Sequence, residues 1–185
     1  MKKIPTLFER DFTKRGQITR YYHHEVDWVL AGEGIATRKY DGTAILIQDG
    51  KVFKRYTLHP DKPAPEGFVK VDTDDETGKS VGWVPAGDHT DDKWLNEALE
   101  DTPADTLPDG TYELLGPKIQ KNPEKYEKHT LLRHAGAQQF KNVPVDYDEL
   151  RGWLSRHDIE GLVWHHPGGR MAKIKLRDFG LRRNG

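Results

Sequence analysis

Cysteine is absent from the 185 residues of this chain. That excludes disulfide staples, thiolate zinc sites and cysteine nucleophiles, and fits a reducing, cytoplasmic compartment. Long apolar runs are also missing: none approaches the ~20 residues that a membrane span requires. The opening Met1-Lys2-Lys3-Ile4-Pro5 is basic, but no apolar stretch of signal-peptide length follows it. Nor is there a surplus of either charge. Lys and Arg total 29 against 30 Asp and Glu, so the formal net charge is −1 although 32% of residues are charged. The balance excludes a globally basic nucleic-acid binder, but a local basic groove is compatible with it, because net charge averages over faces. The expectation is a cytoplasmic globular protein with no membrane partner, a single domain over residues 1–185.

Several catalytic signatures are lacking too. No Gly-x-x-x-x-Gly-Lys-Ser/Thr loop occurs, which argues against a P-loop enzyme. Neither Ser80 nor Ser155 sits in a Gly-x-Ser-x-Gly elbow. Among the nine histidines, His23-His24 and His165-His166 are adjacent pairs, and neighbours on a strand point to opposite faces, so no zinc-binding spacing is read.

What is present is mostly short β-type segments separated by turn residues. Residues 35–39 and 43–47 read as strands of a hairpin around Asp41-Gly42, and Asp49-Gly50 turns into a further strand over 51–56, giving a second hairpin. Residues 68–71 read as a short strand, and Asp72 to Lys79 is acidic and turn-rich. Trp94, Leu95, Ala98 and Leu99 recur at helical spacing over 91–99, as do Leu150, Trp153 and Leu154 over 148–156. Residues 111–115 read as a strand, and 161–164 and 171–175 as two more joined by Pro167-Gly168-Gly169. The pattern predicts an α+β fold built on antiparallel sheet.

Lys39-Tyr40-Asp41-Gly42 is the most informative tetrapeptide. A lysine at a strand end can act as a nucleophile toward a nucleotide phosphate, although a lysine before an Asp-Gly turn is commonly just solvated. An ordinary lysine, with a pKa of about 10.4, is protonated at neutral pH. Neighbouring cations would depress that value, and Arg55, Lys173 and Lys175 are candidates to supply them. Lys173 and Lys175 are two apart, so a strand places both ammonium groups on one face and Ile174 on the other. That pair can grip a phosphate, or be an ordinary solvated strand face. Glu160 begins an apolar strand; a carboxylate there can hold Mg²⁺ or be a surface acid. Glu113 lies among Tyr112, Leu114 and Leu115, where a charge needs a partner.

Five elements thus follow in order: Lys39-x-Asp41-Gly42; Lys54-Arg55; Tyr112-Glu113 with Gly116; Glu160-Gly161-Leu162-Val163; and Lys173-Ile174-Lys175. The series resembles motifs I, Ia, III, IV and V of the covalent nucleotidyltransferase superfamily of ATP-dependent ligases and capping enzymes. The closer resemblance is to small ATP-dependent RNA ligases. It is carried by the aromatic residue before Glu113, by Thr77-Gly78 with Gly82-Trp83-Val84-Pro85, and by the opening residues 4–11.

The resemblance implies a nucleotidyltransferase (adenylation) domain, with antiparallel sheets flanked by helices. It implies Lys39 as the nucleophile, aimed by Asp41 and Gly42, with Lys173 and Lys175 as charge stabilisers. Glu160 would hold Mg²⁺ or Mn²⁺, Glu113 a ribose hydroxyl, and Arg55 a phosphate or ribose, with Lys54 the adjacent alternative. ATP would donate AMP, and RNA with 5′-phosphate and 3′-hydroxyl ends would be joined. Two rivals stay open: another covalent nucleotidyltransferase (a DNA ligase or a GTP-using capping enzyme), and a non-catalytic nucleic-acid-binding module of the same fold. Only ten residues follow Lys175. No C-terminal OB domain is therefore expected, which implies a minimal ligase or a partner protein in that domain's place. Arg177, Arg182 and Arg183 in this tail are candidates for phosphate-backbone contacts.

Overall fold

The computed structural model describes residues 2–14, 16–74, 77–87 and 89–183. In chain order the strands are β1 (Phe8–Arg10), β2 (Ile18–Tyr22), β3 (Ile35–Lys39), β4 (Thr43–Gln48), β5 (Lys51–Leu58) and β6 (Val69–Thr73). They continue with β7 (Ser80–Pro85), β8 (Gly110–Leu115), β9 (Thr130–Arg133), β10 (Gln139–Phe140), β11 (Gly161–His165) and β12 (Met171–Lys175). The helices are α1 (Asp27–Leu30), α2 (Lys93–Glu100) and α3 (Tyr147–Ser155), with short 3-10 turns between elements. The strands of the sheets are paired antiparallel, and helices are few. Among the described residues no helix is long and apolar enough to cross a membrane.

The chain divides into two compact units, one of Met1–Lys3 and Asp41–Gly136, the other of Ile4–Tyr40 and Ala137–Gly185. The Asp41–Gly136 unit contains a six-stranded sheet in the order β6-β7-β5-β4-β8-β9. Its apolar face is built from Ile45 and Ile47 of β4 and Tyr112 and Leu114 of β8, and α2 covers it with Leu95 and Ala98. Alternation along a strand places residues 44, 55, 111 and 113 on the opposite face.

The second unit contains the four-stranded sheet β10-β3-β11-β12 and the two-stranded sheet β1-β2. Ala36, Leu162, Trp164, Ala172 and Ile174 point into a core completed by Leu150 and Leu154 of α3 and by Trp28 and Val29 of α1. Asp146 caps α3, its side chain accepting from the backbone N–H groups of Asp148 and Glu149. The outer edge of β12 is covered rather than exposed: the Lys173 N–H donates to the Pro5 carbonyl and the Leu7 N–H to the Lys173 carbonyl. The segment leading into β1 is therefore part of this sheet's edge, and Ile18, Val26 and Trp28 beyond it are core.

One sequence expectation is corrected here. Asp41-Gly42 does not close a hairpin between β3 and β4. β3 pairs with β10 and β11, whereas β4 pairs with β5 and β8, so the chain changes sheet between Lys39 and Thr43. Gly42 is required there by close approach rather than by backbone angle: a Cβ would run into the Leu114 carbonyl oxygen and the Glu113 and Leu115 side chains. The strand at 43–48, the hairpin through Asp49-Gly50 into β5, and the β11–β12 pairing follow the sequence reading.

Candidate active site

In the unit of Ile4–Tyr40 and Ala137–Gly185, strands β3, β11 and β12 run side by side, and their register aligns Lys39, Gly161 and Lys175 in one row across the sheet. The absence of a side chain at Gly161 is what lets the neighbouring strands close up: a Cβ there would strike the Ile174 carbonyl and the Lys175 Cα. Glu160, the residue just before this row, turns its carboxylate onto both lysines. Its Oε2 accepts from Lys39 Nζ at 2.5 Å and its Oε1 is 2.6 Å from Lys175 Nζ. Lys173, two residues back on β12, shares the Lys175 face, while Ile174 is buried in the core.

The electrostatics follow from that packing. Burial pushes the Glu160 carboxyl up, but the charges of Lys39 and Lys175 and their hydrogen bonds outweigh this and hold it below the usual carboxylate range. Burial first, then the like charge of Lys39, pulls Lys175 down, with Glu160 opposing. Among the described residues Lys173 has no such carboxylate partner. Burial, then Lys175, Lys39 and Arg10, lower it to about 8, against a smaller upward pull from Asp178.

The Asp41–Gly136 unit contributes a different arrangement. Glu113 Oε1 accepts the Gly42 backbone N–H at 3.0 Å, and its Oε2 lies 2.8 Å from His134 Nε2. A carboxylate only accepts, so His134 carries its proton on Nε2, leaving Nδ1 to face the Thr111 hydroxyl at 2.9 Å. The backbone N–H of Asp41 donates to Glu124 at 3.2 Å. Arg55 lies on the same sheet face as Glu113, its guanidinium 5.4 Å from the Trp83 ring centroid, and burial lowers its pKa against an opposing pull from Asp72. Lys54 is on the other face, where Nζ donates to Asp92 at 2.6 Å beside the start of α2. Lys54 thus pins the start of α2, and Arg55 shares the Glu113 face of the sheet.

The structure thus brings Lys39, Glu160, Lys173 and Lys175 together in one unit and aligns Gly42, Glu113 and Arg55 in the other. His134 and Asp178 belong to no periodic pattern or spaced motif, and Thr111 and Arg10, though within the 111–115 strand and the opening residues 4–11, were not singled out as site residues. The adjacent histidines also need a correction. His23 and His24 follow β2 rather than lie in it, so strand alternation does not separate them; their rings stack at 4.4 Å, and with Glu9 they offer ligand atoms within 4.8 Å of one another.

Comparison with known proteins supports an RNA ligase family. The family model for RNA ligase 1 matches residues 88–184, just over half of the chain, and the chain belongs to the RNA ligase 1 family. The matched region includes Glu113, Glu160, Lys173 and Lys175. The chain is 29% identical to RNA ligase 1 of Pongo abelii, over 65% of this chain and 49% of that protein. It is 28% identical to RNA ligase 1 of Rattus norvegicus, over 72% of this chain and 54% of that protein. RNA ligase 1 of Danio rerio is also 28% identical, over 58% and 43% respectively. The chain spans about half the length of the curated relatives it matches.

Proposed function

We propose that this chain is an ATP-dependent RNA ligase with a nucleotidyltransferase fold, joining 5′-phosphate to 3′-hydroxyl RNA ends through a lysyl-AMP intermediate. The observation that carries the reading is the row Lys39–Gly161–Lys175 with Glu160 bridging its two lysines. Lys39 is the nucleophile. Its amine, having given up a proton to solvent, attacks the α-phosphorus of ATP; an N–P bond forms, the P–O bond to the β-phosphate breaks and pyrophosphate leaves. An oxygen of the RNA 5′-phosphate then attacks the same phosphorus, breaking the N–P bond and freeing the Lys39 amine. The 3′-hydroxyl finally attacks the activated 5′-phosphate, AMP departs and the phosphodiester is made.

Lys173 and Lys175 offset the negative charge that develops on the transferring group. Because Glu160 holds the Lys39 ammonium, attack requires that pair to part, and an arriving triphosphate offers the lysines an alternative anion. Glu113 accepts a ribose hydroxyl and Arg55 holds a phosphate or ribose oxygen; both stand on strands rather than loops, which suits fixed positioning. Glu160 also fits a divalent metal. Each of its oxygens retains an acceptor site beyond the one a lysine occupies, and Mg²⁺ or Mn²⁺ needs only one or two carboxylates alongside phosphate oxygens. Such an ion would supply charge neutralisation at the α-phosphate.

The test is incubation of purified protein with Mg²⁺ and α-labelled ATP or, in parallel, GTP, followed by intact mass. The expected result is an AMP adduct in the wild type, none in Lys39→Ala, and discharge of the adduct onto 5′-phosphorylated RNA. A GMP adduct would instead indicate capping chemistry, and no adduct with either nucleotide would leave a nucleic-acid-binding module.

A further inference from the structure

An open cleft of about 420 Å³ lies beyond the end of β12, with Arg10, Gln17, Arg177, Asp178 and Arg182 in its lining. The chemistry proposed above uses none of these side chains. Three arginines and one aspartate line it, so the lining is net positive. The carboxylate is already engaged: Asp178 is buried, its Oδ1 accepts from Arg10 Nη1 at 2.9 Å, and its Oδ2 accepts the Lys175 backbone N–H at 2.9 Å. Arg10 is thereby held in a set orientation. Arg177 and Arg182 are both exposed, and among the described residues neither is paired with a carboxylate. Arg183 is different, since its Nε donates to Asp158 at 3.1 Å. The basic tail therefore splits into one arginine tied to its own fold and two that line a concavity.

A lone exposed arginine is ordinarily just solvated. Two that converge on one cleft with a third fixed by a buried acid make a preset anion receptor, because the planar guanidinium fork matches phosphate oxygens bidentately. The volume lies within the range of small-ligand sites, enough for a phosphate with its ribose. The cleft also adjoins the lysine cluster through bonded contacts. Asp178 holds the Lys175 backbone, and Arg10 is close enough for its charge to act on Lys173.

We propose that this cleft binds a phosphate of the RNA strand and so holds the strand beside the lysine cluster. The choice of RNA as ligand rests on the ligase reading. A 5′-terminal phosphate and an internal backbone phosphate share the chemistry, and the test separates them.

The test is fluorescence anisotropy with a short 5′-phosphorylated RNA and its 5′-hydroxyl twin, comparing wild type with Arg177→Ala/Arg182→Ala at one salt concentration. Both residues are exposed, so the variant is expected to keep the fold, which circular dichroism checks; Arg177→Lys/Arg182→Lys, which preserves charge, is the second variant. Affinity for the 5′-phosphorylated RNA is expected to fall about 10-fold or more in the alanine variant and to recover only in part with lysine. Loss confined to the phosphorylated RNA identifies a terminal phosphate; equal loss for the two RNAs identifies an internal one. Unchanged affinity for both overturns the proposal, as does full recovery with lysine, which would mean diffuse attraction rather than a built receptor. A second readout is single-turnover transfer of AMP to RNA from isolated wild-type and variant adducts, where a slower variant is expected. If the wild type forms no adduct the ligase reading fails, whereas the binding titration still decides the cleft.

Discussion

Each unit buries one glutamate to the same degree, 8% exposed in both cases, and surrounds it differently. Glu160 lies between two ammonium groups, whereas Glu113 accepts from a backbone N–H and an imidazole. An anion between two flexible cations is neutralised by groups that can turn to another anion. An anion held by the Gly42 N–H and by an imidazole on a short turn is fixed by groups with nowhere else to go. The first arrangement suits exchange of charge with an arriving triphosphate, and the second suits a rigid acceptor for a neutral hydroxyl.

Glu160→Gln should break the comparison hardest. The amide leaves Lys39 and Lys175 without a counter-charge, so stability is expected to fall by on the order of 3 kcal/mol in urea unfolding. On the proposed function, adduct formation is expected to drop by roughly 10³-fold or more, since the group would both poise the lysines and help hold Mg²⁺. Wild-type stability for this variant would show that the bridge is dispensable to the fold. Glu113→Gln should do less. The amide retains one acceptor oxygen while losing the charge, so adduct formation is expected to fall about 10- to 100-fold in kcat/KM for ATP. The loss should be smaller with 2′,3′-dideoxy-ATP, which lacks the hydroxyls; an equal loss with that analogue would detach Glu113 from the ribose.

Why these residues were legible, and others not, is a matter of locality. β3, β5, β11 and β12 announce themselves through alternation bounded by Asp-Gly or Pro-Gly turns, which are signals carried within a few residues. The pairing of β3 is not local: its partner β11 begins at Gly161, and Asp-Gly looks the same in the sequence whether it closes a hairpin or carries the chain between sheets. β1, β9 and β10 span three, four and two residues, too short to show a period. In the site, strand spacing puts Lys173 and Lys175 on one face, whereas Lys39, Glu113 and Glu160 were singled out by a motif order that resembles the nucleotidyltransferases. The partner of Glu113 could not be read, because His134 sits in a 3-10 turn that no pattern predicts.

Lys173 sharpens the comparison from another side, as a half-buried cation without the bridge that Glu160 gives its neighbours. Lys175, Lys39 and Arg10 act against its charge and Asp178 in favour. Its pKa is about 8 in the fold, against about 10.4 in an unfolded chain. Between those values the unfolded chain holds a proton that the folded protein has released, so folding is favoured as pH rises. The cost of burying the charged side chain is therefore fully present below about pH 8 and fades above it. Lys173→Met removes that cost. The variant's advantage in unfolding free energy is expected to be largest near pH 7 and to shrink by on the order of 2 kcal/mol by about pH 10. An advantage that stays constant across this range would mean Lys173 titrates normally.

The smallest effect is expected at His134, and it asks whether Glu113 is as firmly held as its partners suggest. His134→Ala removes one of the two donors to the carboxylate but leaves the Gly42 N–H. The fold should lose only about 1 kcal/mol, the net worth of one such hydrogen bond. If His134 acts only by positioning Glu113, KM for ATP should rise a few-fold while adduct formation at saturating ATP stays within about 2-fold of wild type. His134→Gln, whose amide can still donate to Glu113, should restore most of the lost affinity. A fall in the saturating rate that glutamine does not rescue would place the imidazole itself in the chemistry, and Glu113 would then no longer be the rigid acceptor set against the exchangeable Glu160.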